Sequence, residues 1–85
     1  MKNITRQYDY QLLKGEIVKK YSTMRNFAND VLNITPTAFS RILKNKARFS
    51  QDSISLIVES LDLNPELIGI YFFTNVSQKN ANSNN

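Results

Sequence analysis

The side chains best equipped for chemistry lie together at positions 33–50, NITPTAFSRILKNKARFS. Arg41, Lys44, Lys46 and Arg48 are cations, Thr35, Thr37 and Ser40 carry hydroxyls, and no carboxylate intervenes between Asp30 and Asp52. Guanidinium and ammonium groups hydrogen-bond phosphate oxygens and the acceptor edges of bases, and hydroxyls serve either. The plainer alternative is a basic face that only meets water. Other chemistries find little support. The chain has no His and no Cys, which removes the usual zinc ligands, the common nucleophile–base pairs and any disulfide. Its two glycines, Gly15 and Gly69, are far apart, so no glycine-rich loop can cradle a phosphate. The carboxylates are scattered and form no acid/base pair. The expectation is a protein that is not an enzyme and takes no cofactor or small-molecule ligand.

Five short helices are expected to position that stretch, an all-α fold. In YDYQLLKGEIVKKY, Leu13, Ile17 and Tyr21 recur at i, i+4 and i+8, with Val18 widening the stripe and Asp9 placed to cap the start. Gly15 within this helix costs roughly 1 kcal/mol against alanine, so packing must hold it. Ser22 and Thr23 offer a cap for a second helix, MRNFANDVLN, with Phe27, Ala28, Val31 and Leu32 as its apolar set. It stops near Asn33, a residue that tolerates left-handed backbone. Thr35-Pro36 opens the third helix, a hydroxyl cap followed by a residue pre-set for the first helical position. Phe39, Ile42 and Leu43 form its inward stripe, which leaves Thr37, Ser40, Arg41 and Lys44 on the outer arc. Asn45–Phe49 reads as a basic loop. Ser50 caps a fourth helix, QDSISLIVESL, whose buried face is Ile54, Ile57, Val58 and Leu61. Asn64-Pro65-Glu66 repeats the cap-then-proline pattern before ELIGIYFF. From Thr74 the chain becomes polar and Asn-rich, TNVSQKNANSNN, and reads as a frayed tail.

An 85-residue chain makes one domain, here expected over residues 1–73. At 41% hydrophobic it is far from the composition of disorder. It has neither a membrane-length apolar run nor the apolar core of a signal peptide, so a cytoplasmic protein is expected. The net charge of +4 is unevenly spread: Asp52, Glu59, Asp62 and Glu66 come after the basic stretch, with no Lys or Arg from Asp52 to Phe73. One basic and one acidic segment give the molecule a preferred side for a polyanion.

A pair of short helices at about 24–32 and 35–44, joined by a tight turn, has the geometry of a helix-turn-helix. The run STMRNFANDVLNITPTAFSRILKNKARF (22–49) resembles the helix-turn-helix of phage repressor and Cro-like regulators, the XRE family. The likeness lies in Phe27-Ala28, in Leu32-Asn33-Ile34 where the family often has Leu-Gly-Ile, in the Thr35 cap, in Phe39-Ser40-Arg41-Ile42 and in Asn45-Lys46. The segment LDLNPELIGIYFF (61–73) looks like the close of the short phage members, so the resemblance covers about residues 10–73.

The resemblance implies a five-helix, λ-repressor-like domain that binds double-stranded operator DNA, commonly as a homodimer in a bacterial host. It implies that Thr37 and Arg41 face bases or phosphates and that Ser40 lies against the backbone or the turn. Thr35, Lys44, Lys46 and Arg48 join them as candidate DNA contacts, with Thr23 and Arg25 approaching phosphate from the start of the second helix. At least one of Tyr71, Phe72 and Phe73 is expected to face outward and form a dimer surface. Alternatively, Tyr71 and Phe72 close the core and leave only Phe73 outside. Two features depart from the family. Ala28 and Leu32 are four positions apart where three are usual, so the second helix is lengthened, bulged or begun in another phase. Pro36 stands where many members use Gln or Ser to contact DNA. A different class remains open: an antirepressor- or antitoxin-like module that uses this fold mainly to bind another protein.

Overall fold

The computed structural model describes residues 6–76. The helices are α1 (Gln11–Tyr21), α2 (Met24–Phe27) continuing into a π-helical turn (Ala28–Leu32), α3 (Pro36–Leu43), α4 (Gln51–Leu61), and α5 (Ile68–Phe72), which comes after a 3-10 turn (Pro65–Leu67). Among the described residues there is no named strand and no helix long and apolar enough to cross a membrane. The fold is all-α with five helices, as the apolar spacing predicts.

Local chemistry starts each helix. Thr23, Thr35 and Ser50 hold extended backbone and accept with their side-chain oxygens from the amides of Asn26, Ala38 and Ser53, each at 3.0 Å. Asn64 does the same for the Glu66 amide at 2.9 Å. Asp9 accepts from the Gln11 amide at 3.0 Å, although α1 begins two residues further on than Asp9 and has no side-chain bond at its own cap, Tyr10. The helix ends are less usual. Ser22, Asn33, Asn45 and Asp62 have positive φ and stop α1, the π turn, α3 and α4, a task glycine commonly performs. Neither glycine does so here: both sit inside helices.

The core is aromatic. Phe27, Phe39 and Phe72 are almost fully buried, with Leu13, Ile17 and Ile57 between them. Ring contacts run from Tyr21 to Phe27 (5.1 Å), Phe27 to Phe39 (5.9 Å), Phe39 to Phe49 (6.3 Å) and Phe49 to Phe72 (5.4 Å). Tyr10 joins at Phe49 edge-on at 5.5 Å, so this ring, expected only as a loop residue, is the hub between α3, α5 and the start of α1. Offset and edge-on aromatic pairs add about 0.5–1.5 kcal/mol each beyond their buried area.

Several expectations are corrected by this packing. Val18 does not widen the α1 stripe; it is half exposed, because α1 presents only Leu13 and Ile17 fully to the core. Ile42 is half-buried, while Leu43 packs at the core margin. Phe72 cannot belong to a dimer surface, since it is 1% exposed beneath α1. Tyr71 packs partly against the core and Phe73 remains half exposed, the alternative arrangement of the three aromatics.

The expected tail does not begin at Thr74. The Asp9 amide donates to the Thr74 carbonyl (2.8 Å) and the Val76 amide to the Gln7 carbonyl (2.9 Å), forming an antiparallel bridge between Tyr8 and Asn75. Residues 77–85 of that tail lie outside the described residues.

Candidate nucleic-acid interface

The turn before α3 is set by the π-helical turn. An α-helix places Ala28 and a residue three or four positions on over one another, and one inserted residue rotates the rest of the helix by about 100°. Here residues 28–32 form a single wider turn. The Asn33 amide reaches back five positions to the Ala28 carbonyl, and the Ile34 amide shares the same acceptor at 3.1 Å. Ala28 and Leu32 are both buried, and Asn33 reverses the chain with φ 54°. Single π turns of this kind absorb an insertion without unwinding the helix.

Thr35 then launches α3 with Pro36 in its first position. Phe39 pins the helix against Phe27, and the opposite arc carries the candidate residues. Thr37, Arg41 and Lys44 are exposed and Ser40 is half-buried. The Thr35 and Thr23 hydroxyl oxygens each accept one cap bond, which leaves the O–H proton to donate and a second lone pair to accept. Arg25 is exposed in the first turn of α2. Arg41 lies back along its own helix end, with a guanidinium bond to the Lys46 carbonyl at 3.4 Å. That contact is long and exposed, and holds Arg41 weakly. Lys46 is exposed in the turn that closes α3, where its amide bonds the Arg41 carbonyl at 2.8 Å.

Arg48, a candidate phosphate contact, is exposed and is also held within the fold. Its guanidinium donates to Asn45 Oδ1 (2.8 Å) and to the Arg6 carbonyl, and lies 5.0 Å above the Tyr8 ring. With its fork and one face engaged, Arg48 braces the loop against the N-terminal segment. Burial pushes the Tyr10 hydroxyl above its ordinary pKa, a shift the nearby Arg48 charge opposes.

Asn45 and Tyr8 are the residues sequence reasoning missed. Asn45 Oδ1 accepts from the Tyr8 amide (2.8 Å), and its Nδ2 donates to the Tyr8 carbonyl (3.0 Å). Extended backbone points successive N–H and C=O pairs to opposite edges. One edge of residues 7–9 pairs with residues 74–76, and the Asn45 carboxamide takes the other as a one-residue strand would. Asn45 is recognisable locally as a left-handed helix stop. Its partner lies 37 positions away, and no local pattern points to it.

The outer arc of α3 can thus offer hydroxyl and cationic donors to an acceptor-rich surface, with Lys46 beyond its end and the loop behind it braced. A search of curated proteins returned no match. A family model described as "Protein of unknown function (DUF739)" matches residues 6–75 and so takes in both partners of the Tyr8–Asn75 bridge together with all five helices. The chain belongs to the DUF739 family.

Proposed function

We propose that this protein is a sequence-specific DNA-binding transcriptional regulator of the phage or prophage Cro or early-repressor type, acting in the bacterial cytoplasm. One observation carries the reading: α3 is capped, comes after a tight turn, and bears Thr37, Ser40, Arg41 and Lys44 on an arc without a carboxylate. An α-helix fits the major groove, about 12 Å wide, and a guanidinium fork reads guanine through its O6 and N7 acceptors. Arg41 is the base reader in this scheme. Lys44 and Lys46 neutralise backbone phosphates, and Thr37 bonds either. The π turn supports the resemblance to the XRE family, because it accommodates the residue by which the chain departs from the family's spacing.

Leu67, Ile70 and Phe73 recur three apart along the outer side of the α5 region and are 37%, 47% and 50% exposed. Such a stripe supports a homodimer through α5, which would set two copies of α3 on half-sites about 34 Å apart. The same stripe favours the second reading, a module that acts by binding another protein. Titration of the DNA flanking the gene, against random duplex and at two salt concentrations, separates the two. The regulator binds its own flank more tightly and weakens with salt; equal affinity for both duplexes from a folded protein refutes it. Arg41→Ala should cost about 1–3 kcal/mol and relax sequence preference, whereas Lys46→Ala should weaken all sequences alike. Sedimentation of the wild type and Phe73→Ser tests the dimer, and identical monomer profiles would end it.

A further inference from the structure

Among the described residues, some cations are engaged within the fold and others are not. Lys19 pairs with Glu16 at 3.2 Å, Lys20 donates to the Ser60 carbonyl at 3.2 Å, and Arg48 is held by Asn45 and Arg6. Lys14, Arg25 and Lys44 make no side-chain hydrogen bond or ion pair among the described residues, yet all three line one groove of about 240 Å³ between α1, α2 and α3. Met24, Pro36 and Leu43 give the groove apolar walls, Ser40 contributes a hydroxyl, and no carboxylate lines it. Three like charges around one concavity repel one another, and low-dielectric walls concentrate their field on whatever enters. An anion relieves that repulsion. An anion carrying apolar matter also covers the methylenes of Pro36 and the Met24 side chain.

We propose that this groove seats the sugar–phosphate backbone of duplex DNA, with Lys14 of α1 as a phosphate contact beside Arg25 and Lys44. The inference rests on the proposed DNA binding and adds to it a residue outside the paired helices. A nucleic-acid strand alternates deoxyribose and phosphate, which matches apolar walls bordered by cations. The groove also gives Pro36 a part in binding that needs no N–H: its ring packs against sugar while the cations hold the phosphate. Because the contact is to backbone, it acts on every sequence.

The test is the salt dependence of binding to a random-sequence duplex, read by fluorescence anisotropy. Each phosphate contact contributes about 0.9 to the slope of log K against log salt, so Lys14→Gln should lower the slope by about 0.9 and affinity roughly eightfold at 0.1 M salt. Lys19→Gln makes the same change in net charge on another face of α1 and should leave the slope unchanged; Lys14→Arg should restore it. Matching thermal melts of the variants keep a folding defect from imitating the result. A Lys14→Gln slope equal to wild type, or equal losses in Lys14→Gln and Lys19→Gln, overturns the groove. If the preference for flanking DNA persists in that case, the regulator reading stands. A Lys14 effect on random duplex without any preference for flanking DNA leaves the groove standing and removes the regulator. No binding to any duplex removes both. Inorganic phosphate supplies the competing source: if it saturates the Lys14, Arg25 and Ser40 amide shifts at concentrations below those needed for duplex, the groove belongs to a free anion and the proposal fails.

Discussion

Replacing Asn45 tests the link between the end of α3 and the N-terminal segment. Its side chain makes three hydrogen bonds, two to the Tyr8 backbone and one from Arg48, at 2.8, 3.0 and 2.8 Å. Its backbone has φ 67°, which glycine adopts freely and alanine does not. Asn45→Gly therefore removes the bonds and keeps the backbone. At roughly 1 kcal/mol net per bond the loss is about 3 kcal/mol, reduced to about 2 because Tyr8 is only half-buried and water replaces part of what is lost. For a chain of this size that corresponds to a fall in Tm of about 8–16 °C. Asn45→Ala adds left-handed strain of about 1 kcal/mol or more. Asn45→Asp keeps an acceptor for the Tyr8 amide and Arg48 but turns an oxygen toward the Tyr8 carbonyl, so it should fall between wild type and glycine. Urea unfolding monitored by circular dichroism should give the order wild type, Asp, Gly, Ala. Hydrogen exchange at the Tyr8 amide should accelerate in the glycine variant. A glycine variant within 0.5 kcal/mol of wild type, with Tyr8 still protected, would refute the carboxamide as a strand partner; this threshold is about half of one hydrogen bond.

The same geometry sets the outcome of other perturbations. Deleting Asn29 shortens the π turn by one residue, so the turn should become α-helical with cooperative unfolding kept; loss of cooperative unfolding would show that the wide turn is required. Gly15→Ala should raise stability by about 0.5–1 kcal/mol in a thermal melt, since a Cβ there meets no atom within 4 Å. Asp62 combines positive φ with a negative charge at the negative end of α4, so Asp62→Gly should stabilise by roughly 0.5–1 kcal/mol. Tyr10 ionises less readily folded than unfolded, so the unfolded state releases its proton first as pH rises, and stability is present below pH 10.0 and lost above it. Urea melts from pH 8 to 11 should show a shallower alkaline decline in Tyr10→Phe, about the ordinary tyrosine value near 10; equal declines would contradict the burial argument.

How much was legible depended on range along the chain. Thr23, Thr35, Ser50 and Asn64 were readable as caps because each bonds an amide two or three positions away. The inward face of α3 was readable at Phe39 because a capped amphipathic helix has one face to bury. Phe49 was not, since a loop has no period, and only the meeting of α3, α5 and Tyr10 made it the hub of the rings. Val18 is exposed against its place in the stripe because period alone does not tell how wide a stripe the neighbouring helices cover.

The candidate interface divides along the same line. Residue types and spacing by themselves determined that α3 carries hydroxyls and cations on one arc and no acid, since chain direction and helical pitch set that arc before any packing occurs. Only the tertiary structure decided which cations remain free. Arg48 and Lys14 are both cations in the sequence, yet among the described residues one is bound to Asn45 and the Arg6 carbonyl while the other has no side-chain partner and lines a groove with Arg25 and Lys44. A charge's availability depends on what lies within a few ångströms of it. For Arg48 one of those neighbours, Arg6, lies 42 positions away, and for Lys14 they lie on other helices.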